Sequence, residues 1–341
     1  MTTVKKILAA LMVVVLMFAL ASCGAGGGEE DSSGGQEPQE KTAFRAVIIK
    51  QLDHASLDEI ASAIEDQLKT EASKAGKTIE VSTVSGQNDP TVLKQLAEQA
   101  IAQEADVIIP IATLAAQITA SAAEGTGIPV VFAAISDPEG AGLAMMENVT
   151  GTSDALNVAS MVDVMYLLCP DIKKVGLLYS LSETNSERPI KAIKPMLDDL
   201  RTEYVEATAE TQDEVKAAVS LLITAGVDAI FTPTDNVIMA AELAIYEDLI
   251  DAGIAHFAGA DSFVRNGALA TCGVNYTELG RKTAEMAFQA ATAGMEGIEQ
   301  YYTMPGGIVT INTETASALG IDPAEAKEVF QTVVEVMTTE D

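Results

Sequence analysis

From residue 44 onward, short apolar runs alternate with longer stretches whose apolar residues recur every three or four positions. The runs Phe44–Lys50, Thr78–Val84, Asp106–Ile109 and Ile128–Ala133 predict strands. Between them lie three predicted helices. The first opens at Ser56, carries Ile60, Ile64 and Leu68 on one face, and is closed by Gly76. The others span 91–103 and Leu114–Ala123. Ser56-x-x-Glu59 has the spacing of a capping box, and Asp89-Pro90 reads as an N-cap followed by proline at the first helical position. After Gly151 the series restarts. Strands are predicted at Lys173–Tyr179, Glu203–Ala207, Asp228–Phe231, Ile254–Ala258, Ala268–Gly273 and Ile308–Ile311. Helices are predicted over 155–168, 187–201, 212–225 (behind a second capping box, Thr211-x-x-Glu214), Asn236–Ala252 and Glu278–Ala291, with a terminal helix capped by Asp322-Pro323. Strands that alternate with helices of this length build parallel sheets covered on both faces. The fold class is therefore α/β, with two doubly wound parallel-sheet lobes.

In open parallel sheets, ligands bind beyond the carboxyl ends of the strands. The loops at those ends are rich in polar residues. They hold Gln51 and His54; Thr113, with Gln117 one turn on; Ser136-Asp137; Asn185 within Ser182–Ser186; Thr234-Asp235-Asn236; and Asp261. Hydroxyls and free N–H groups at helix starts suit a carboxylate, while Asp235 and Asp261 could counter an ammonium group. Each residue also has a plainer reading as a helix cap, since Ser, Thr, Asp and Asn favour that position whatever the function.

The first residues follow a different pattern. Lys5 and Lys6 precede an unbroken apolar run from Ile7 to Leu20, which is 14 residues. A helix needs about 20 to cross a bilayer, so the run reads as the apolar region of a signal peptide. It ends at Leu20-Ala21-Ser22-Cys23, which resembles the bacterial lipobox. That resemblance implies cleavage before Cys23 and its acylation, giving a signal peptide over 1–22. Residues 23–42, mostly Gly, Ser, Glu and Gln, then form a flexible tether. The location expected is the outer face of the bacterial cell membrane.

Charge excludes one class of partner. The 341 residues carry 20 Lys+Arg against 50 Asp+Glu, a formal charge of −30. A nucleic-acid surface needs clustered basic residues, so no such partner is expected. Two His and three Cys leave little for a metal site or a disulfide scaffold.

Seven segments in order carry a family resemblance. They are Ala112–Gln117 (ATLAAQ), Ile128–Gly142 (IPVVFAAISDPEGAG), Asn148–Asp154 (NVTGTSD), Lys174–Ser186 (KVGLLYSLSETNS), Ile230–Asn236 (IFTPTDN), Gly267–Thr271 (GALAT) and Asn275–Arg281 (NYTELGR). The chain resembles the solute-binding lipoproteins of bacterial ABC importers, in particular the tryptophan/tyrosine-type substrate-binding proteins. The resemblance implies a type I periplasmic-binding-protein fold, a monomer clamping a small solute, and a membrane permease with ATPase subunits as partners. Residues 43–152 and 274–300 would form lobe one, and 153–273 and 301–341 lobe two. Thr113 and Ser136 would meet an amino-acid carboxylate; Asn185, Asp235 and Asp261 would close over the amino end. The first loop departs from the family, with Asp53-His54-Ala55 where Glu-His-Pro is usual. Aromatic residues are only 4 % of the chain, so an amino acid with a smaller side chain stays open.

No catalytic residue, metal or cofactor is assigned. The rival is a sensing or hydrolytic protein on the same fold. No G-x-S-x-G, G-x-x-x-x-G-K-[ST] or strand-following G-x-G-x-x-G is present.

Overall fold

A computed structural model describes residues 41–339. The signal peptide, the tether and Cys23 lie outside the described residues, apart from the last two positions of the tether. All ten predicted strands are present, and three further ones join them. The first sheet has the order β11-β5-β4-β3-β1-β2 and is parallel throughout. Its strands are β1 (Ala43–Lys50), β2 (Thr78–Ser85), β3 (Val107–Ile111), β4 (Val130–Phe132), β5 (Val149–Ser153) and β11 (Tyr302–Thr303). The second sheet has the order β13-β12-β10-β9-β8-β6-β7. Its strands are β6 (Lys174–Tyr179), β7 (Glu203–Thr208), β8 (Ala229–Thr232), β9 (Ala255–Ala258), β10 (Ala270–Gly273), β12 (Ile308–Asn312) and β13 (Thr332–Val336). Here β10 and β12 pair antiparallel, a departure from the all-parallel expectation.

The chain passes between the sheets three times: after β5, after β10 and after β11. The second passage returns the helix Tyr276–Ala293 to the first sheet, where it packs on the helix Ala55–Lys74. Gly280 makes that packing close, because a Cβ there would stand 2.7 Å from Ala63 Cβ and 2.8 Å from Ile60 O. The central strands β3, β4, β8 and β9 are wholly buried, as expected of strands covered on both faces.

Several boundaries differ from the sequence expectation. Ser56 is not a cap. The helix starts at Ala55 behind His54, and the Ser56 hydroxyl instead bonds Ser262 Oγ. Glu59 binds Thr277 and Arg265 rather than closing a capping box. The helix expected from 155 begins at Val158, because Asn157 accepts from Ser160 N–H at 3.1 Å. The helix expected over Asn236–Ala252 is broken into Asn236–Met239, a 3₁₀ turn Glu242–Ala244 and Tyr246–Asp251. The break turns Glu242 inward to His256 Nδ1 at 2.9 Å. The terminal helix is short, Ala324–Val329, and β13 follows it. Cys169 and Cys272 are both free thiols. Among the described residues no helix is long and apolar enough to cross a membrane.

Candidate functional site

The carboxyl ends of β3, β4, β6, β8 and β9 face one another between the lobes. They enclose about 390 Å³ of space, counting the mouth that opens to solvent. The first lobe contributes His54, Leu57, Ala112, Thr113, Ala134 and Ser136; the second contributes Asn185, Thr234, Asp235, Asn236, Met239 and Phe263. Asp154 and Tyr276 come from the first two chain passages and form the floor.

Two lining residues have unusual backbone. Ala112 has φ +74° and ψ 163°, and Ala134 has φ +57°. For residues bearing a Cβ this costs about 1–3 kcal/mol each and persists only where surroundings enforce it. Ala112 immediately precedes Thr113 and Ala134 stands two residues before Ser136, so the strained turns set where Thr113 and Ser136 stand.

The lobes are closed upon each other. Ser136 Oγ lies 2.8 Å from Thr234 Oγ1, and His54 Nε2 lies 3.1 Å from Asn236 Oδ1. Ser56 meets Ser262, Gln51 Nε2 donates to Glu183 Oε1 at 2.7 Å, and Arg188 Nη1 donates to Asp137 Oδ1 at 3.1 Å. Glu59 and Arg265 add an ion pair at 2.9 Å.

Polar capacity is left over inside. His54 Nδ1 and Asn185 Oδ1 are buried and have no hydrogen-bond partner. Burial holds the His54 imidazole below its ordinary pKa, so the ring is neutral and one nitrogen is a donor while the other accepts. Thr113, which lines the cavity, is the first residue of the helix Thr113–Ala123; the N–H groups of that first turn have no helical partner, and that of Leu114 is taken by Gln51 Oε1.

The carboxylates divide into two kinds. Asp235 accepts from Ser180 N at 2.7 Å, Ser186 Oγ at 2.7 Å, and Val237 and Ile238 N–H at 3.1 Å each. Two carboxylate oxygens offer about four lone-pair sites, and here all are taken by its own lobe. The ammonium role expected for Asp235 therefore finds no free acceptor; it caps the helix and pins its loop to β6. Asp154 accepts from only two groups, Ser136 Oγ at 2.9 Å and Tyr276 OH at 3.0 Å. Burial pushes its pKa up, and the two hydroxyls partly offset that. Burial, with Asp154 beside it, drives the Tyr276 phenol well above its ordinary pKa, so Tyr276 remains a donor.

The other expected site residues stand outside the cavity. Gln51 is buried at the lobe interface, where its Nε2 reaches Asn88 and Glu183 and its Oε1 accepts from Leu114 N–H. Gln117 is one turn too far along its helix and donates to Ala141 O at 3.1 Å. Asp137 sits at the rim with Arg188. Asp261 shares the Arg265 guanidinium with Glu59, at 2.5 Å, and its Oδ1 is buried without a partner. Residues that the sequence reading passed over are Asp154, Glu183, Ser56, Met239 and Phe263. Asp154 closes one of the seven segments and Glu183 stands inside another, so both were within view.

Two α/β lobes joined by three passages and closed over strand-end polar groups define a solute-binding protein of the type I periplasmic class. The chain belongs to the family of ABC transporter substrate binding proteins, whose model matches residues 46–332. A tyrosine-binding protein of Clostridioides difficile is 29 % identical over 283 residues, covering 82 % of this chain and 81 % of the relative. A Streptococcus pneumonia ABC domain in complex with L-Trp matches with a TM-score of 0.79 at 27 % identity, over 86 % of this chain and 100 % of that one. A ligand-free, open substrate binding protein of Clostridium difficile, also 27 % identical, covers 87 % of this chain and 100 % of its own, yet reaches only 0.65. At equal identity the solute-bound relative fits better, in keeping with the closed lobes seen here.

Proposed function

We propose that this chain is the extracytoplasmic receptor of an ABC importer for a free amino acid of the tyrosine or tryptophan kind. It captures the solute by hinge closure and releases it unchanged to a membrane permease. The observation that carries the reading is the cavity's mixture of partners. Asp154 keeps acceptor capacity for an ammonium group. The Thr113 helix start and His54 offer polar groups for a carboxylate, while the unpartnered Asn185 Oδ1 is a further acceptor for the ammonium end. Leu57, Met239 and Phe263 form an apolar wall for a side chain. A zwitterion needs both charged partners, and the named solutes of the two relatives are zwitterions with large apolar side chains. Closure is favoured because the solute touches both lobes only when they meet. Residues 1–22 would be the signal peptide, with Cys23 acylated and residues 23–42 tethering a monomer to the membrane.

The test is a thermal-unfolding panel of amino acids. A solute present at 100 times its Kd adds about 2.7 kcal/mol of stability. L-tyrosine or L-tryptophan should raise the midpoint, and N-acetylated forms should not. If no amino acid shifts it, the amino-acid reading fails. If the solute is consumed, the hydrolytic alternative replaces it.

A further inference from the structure

Glu183 is a carboxylate shut inside the lobe interface without a cation. It is 4 % exposed, and its two oxygens accept from amides: Gln51 Nε2 of the first lobe at 2.7 Å and Asn236 Nδ2 of its own lobe at 2.8 Å, with the Asn185 amide also beside it. Asn236 Oδ1 in turn meets His54 Nε2, and His54 Nδ1 is the unpartnered atom at the cavity. The chain Gln51–Glu183–Asn236–His54 thus crosses the gap twice and ends at the cavity. The titratable groups facing Glu183 are Asp235 on its own lobe and His54 through Asn236. Lys50, beside Gln51, is engaged by Asp53 and Asp58. The N-terminus of the helix Thr184–Leu200, which Glu183 precedes, contributes only a partial positive charge.

An ionised carboxylate in this position is poorly compensated. Burial raises the pKa of both adjacent acids, but four donors to Asp235 oppose it there, so of the pair Glu183 is the one that takes the proton. Resting on the amino-acid reading above, we propose that Glu183 takes up a proton from solvent as the cleft closes on its solute, and that the O–H of the neutral acid turns the Asn236 amide and the His54 tautomer so that Nδ1–H faces the solute. The proton balance is simple. Solvent supplies H⁺ to Glu183. Its O–H donates to Asn236 Oδ1, the turned amide donates to His54 Nε2, and the ring proton moves from Nε2 to Nδ1. Glu183 does not line the cavity; it is a positioning residue for His54. Burial first, and the Asp235 charge second, push its pKa from 4.5 up to about 7 in the closed form.

The experiment is calorimetric titration of L-tyrosine at pH 6, 7 and 8, each in two buffers of different ionisation enthalpy. With Glu183 at its ordinary value when the lobes are open, uptake is about 0.9 proton at pH 6, about 0.5 at pH 7 and about 0.1 at pH 8. The sign follows from a raised closed-state pKa. Affinity is greater at low pH and is lost as pH rises, so Kd increases about tenfold from pH 6 to pH 8. Glu183→Gln mimics the neutral acid without the cost of protonating it; its Kd should be the same at every pH and about 30-fold below the wild-type value at pH 6, with no proton uptake. A flat Kd without uptake in the wild type, or uptake that survives in Glu183→Gln, overturns the proposal. If L-tyrosine does not bind at any pH, the amino-acid reading fails. The proton is then read from the infrared pH-difference spectrum of the protein held closed by a disulfide between Ser56→Cys and Ser262→Cys, whose hydroxyls meet across the lobes. A carboxylic-acid band titrating near pH 7 and missing from Glu183→Gln supports the proposal, and a spectrum unchanged by that substitution overturns it.

Discussion

Replacing Asp154 by Asn separates the two carboxylates that could hold the solute's ammonium group. Asp154 has two acceptor sites filled, by Ser136 at 2.9 Å and Tyr276 at 3.0 Å, and the rest of its capacity faces the cavity. Asn keeps the shape and removes the charge. A hydrogen bond to a charged group contributes about 1.5–3 kcal/mol, so Kd for L-tyrosine should rise about 10- to 150-fold. One of the two hydroxyls must then turn away from the new amide NH₂, which costs the unliganded protein about 1 kcal/mol. Asp235→Asn should behave in the opposite sense. Asn still caps a helix, but Ser180 N–H and Ser186 O–H both point at Oδ2. An amide nitrogen there leaves buried donors facing a donor, a loss of about 1–3 kcal/mol of stability with a smaller change in Kd. Titration calorimetry and thermal unfolding on the two variants give both quantities. If Asp154→Asn binds within threefold of wild type, while a folded Asp235→Asn loses binding, the assignment is wrong and Asp235 is the ammonium partner.

Three other substitutions probe the surroundings of the cavity. Gln51→Leu removes an interlobe bond without altering the lining, and leaves Leu114 N–H unpaired; Kd should rise about tenfold and by the same factor for every amino acid that binds. Gly259→Ala would put a Cβ 2.5 Å from Thr234 N and 2.7 Å from Pro233 C; the loop must shift, so the unfolding midpoint should fall by the equivalent of about 1–3 kcal/mol and binding should weaken with it. Phe263→Ala empties a fully buried site on the apolar wall; denaturant unfolding should show a loss of about 3–5 kcal/mol, and L-tryptophan should lose more affinity than L-alanine.

The sequence made the sheets legible because buried parallel strands are short apolar runs. β3 (VIIPI) and β4 (VVF) could be read directly. β5 could not, since Val149–Ser153 (VTGTS) is polar by composition although wholly buried. Its hydroxyls find partners inside, as Thr152 does with Thr283. Without β5, Asp154 stood within a quoted segment but not at a strand end, where the rule looks for site residues. The strand-end rule placed His54, Thr113, Ser136, Asn185, Thr234, Asp235 and Asn236 on one cavity, because topology alone brings those loops together. It could not say which carboxylate is saturated. That depends on Ser180 and Ser186 converging on Asp235 from a neighbouring strand end, a contact with no sequence signature. Glu183 was visible inside Ser182–Ser186, but its burial arises only when the lobes meet. Gln117 was placed at the site by its proximity to Thr113; a helix turns such a residue toward Ala141 instead.

The central claim is that the closed lobes hold a zwitterionic amino acid. Equilibrium dialysis of L-tyrosine and N-acetyl-L-tyrosine against the purified protein tests it most directly. One saturable site for L-tyrosine and no measurable retention of the acetylated form is the result predicted. Equal retention of both, or of neither, would contradict it.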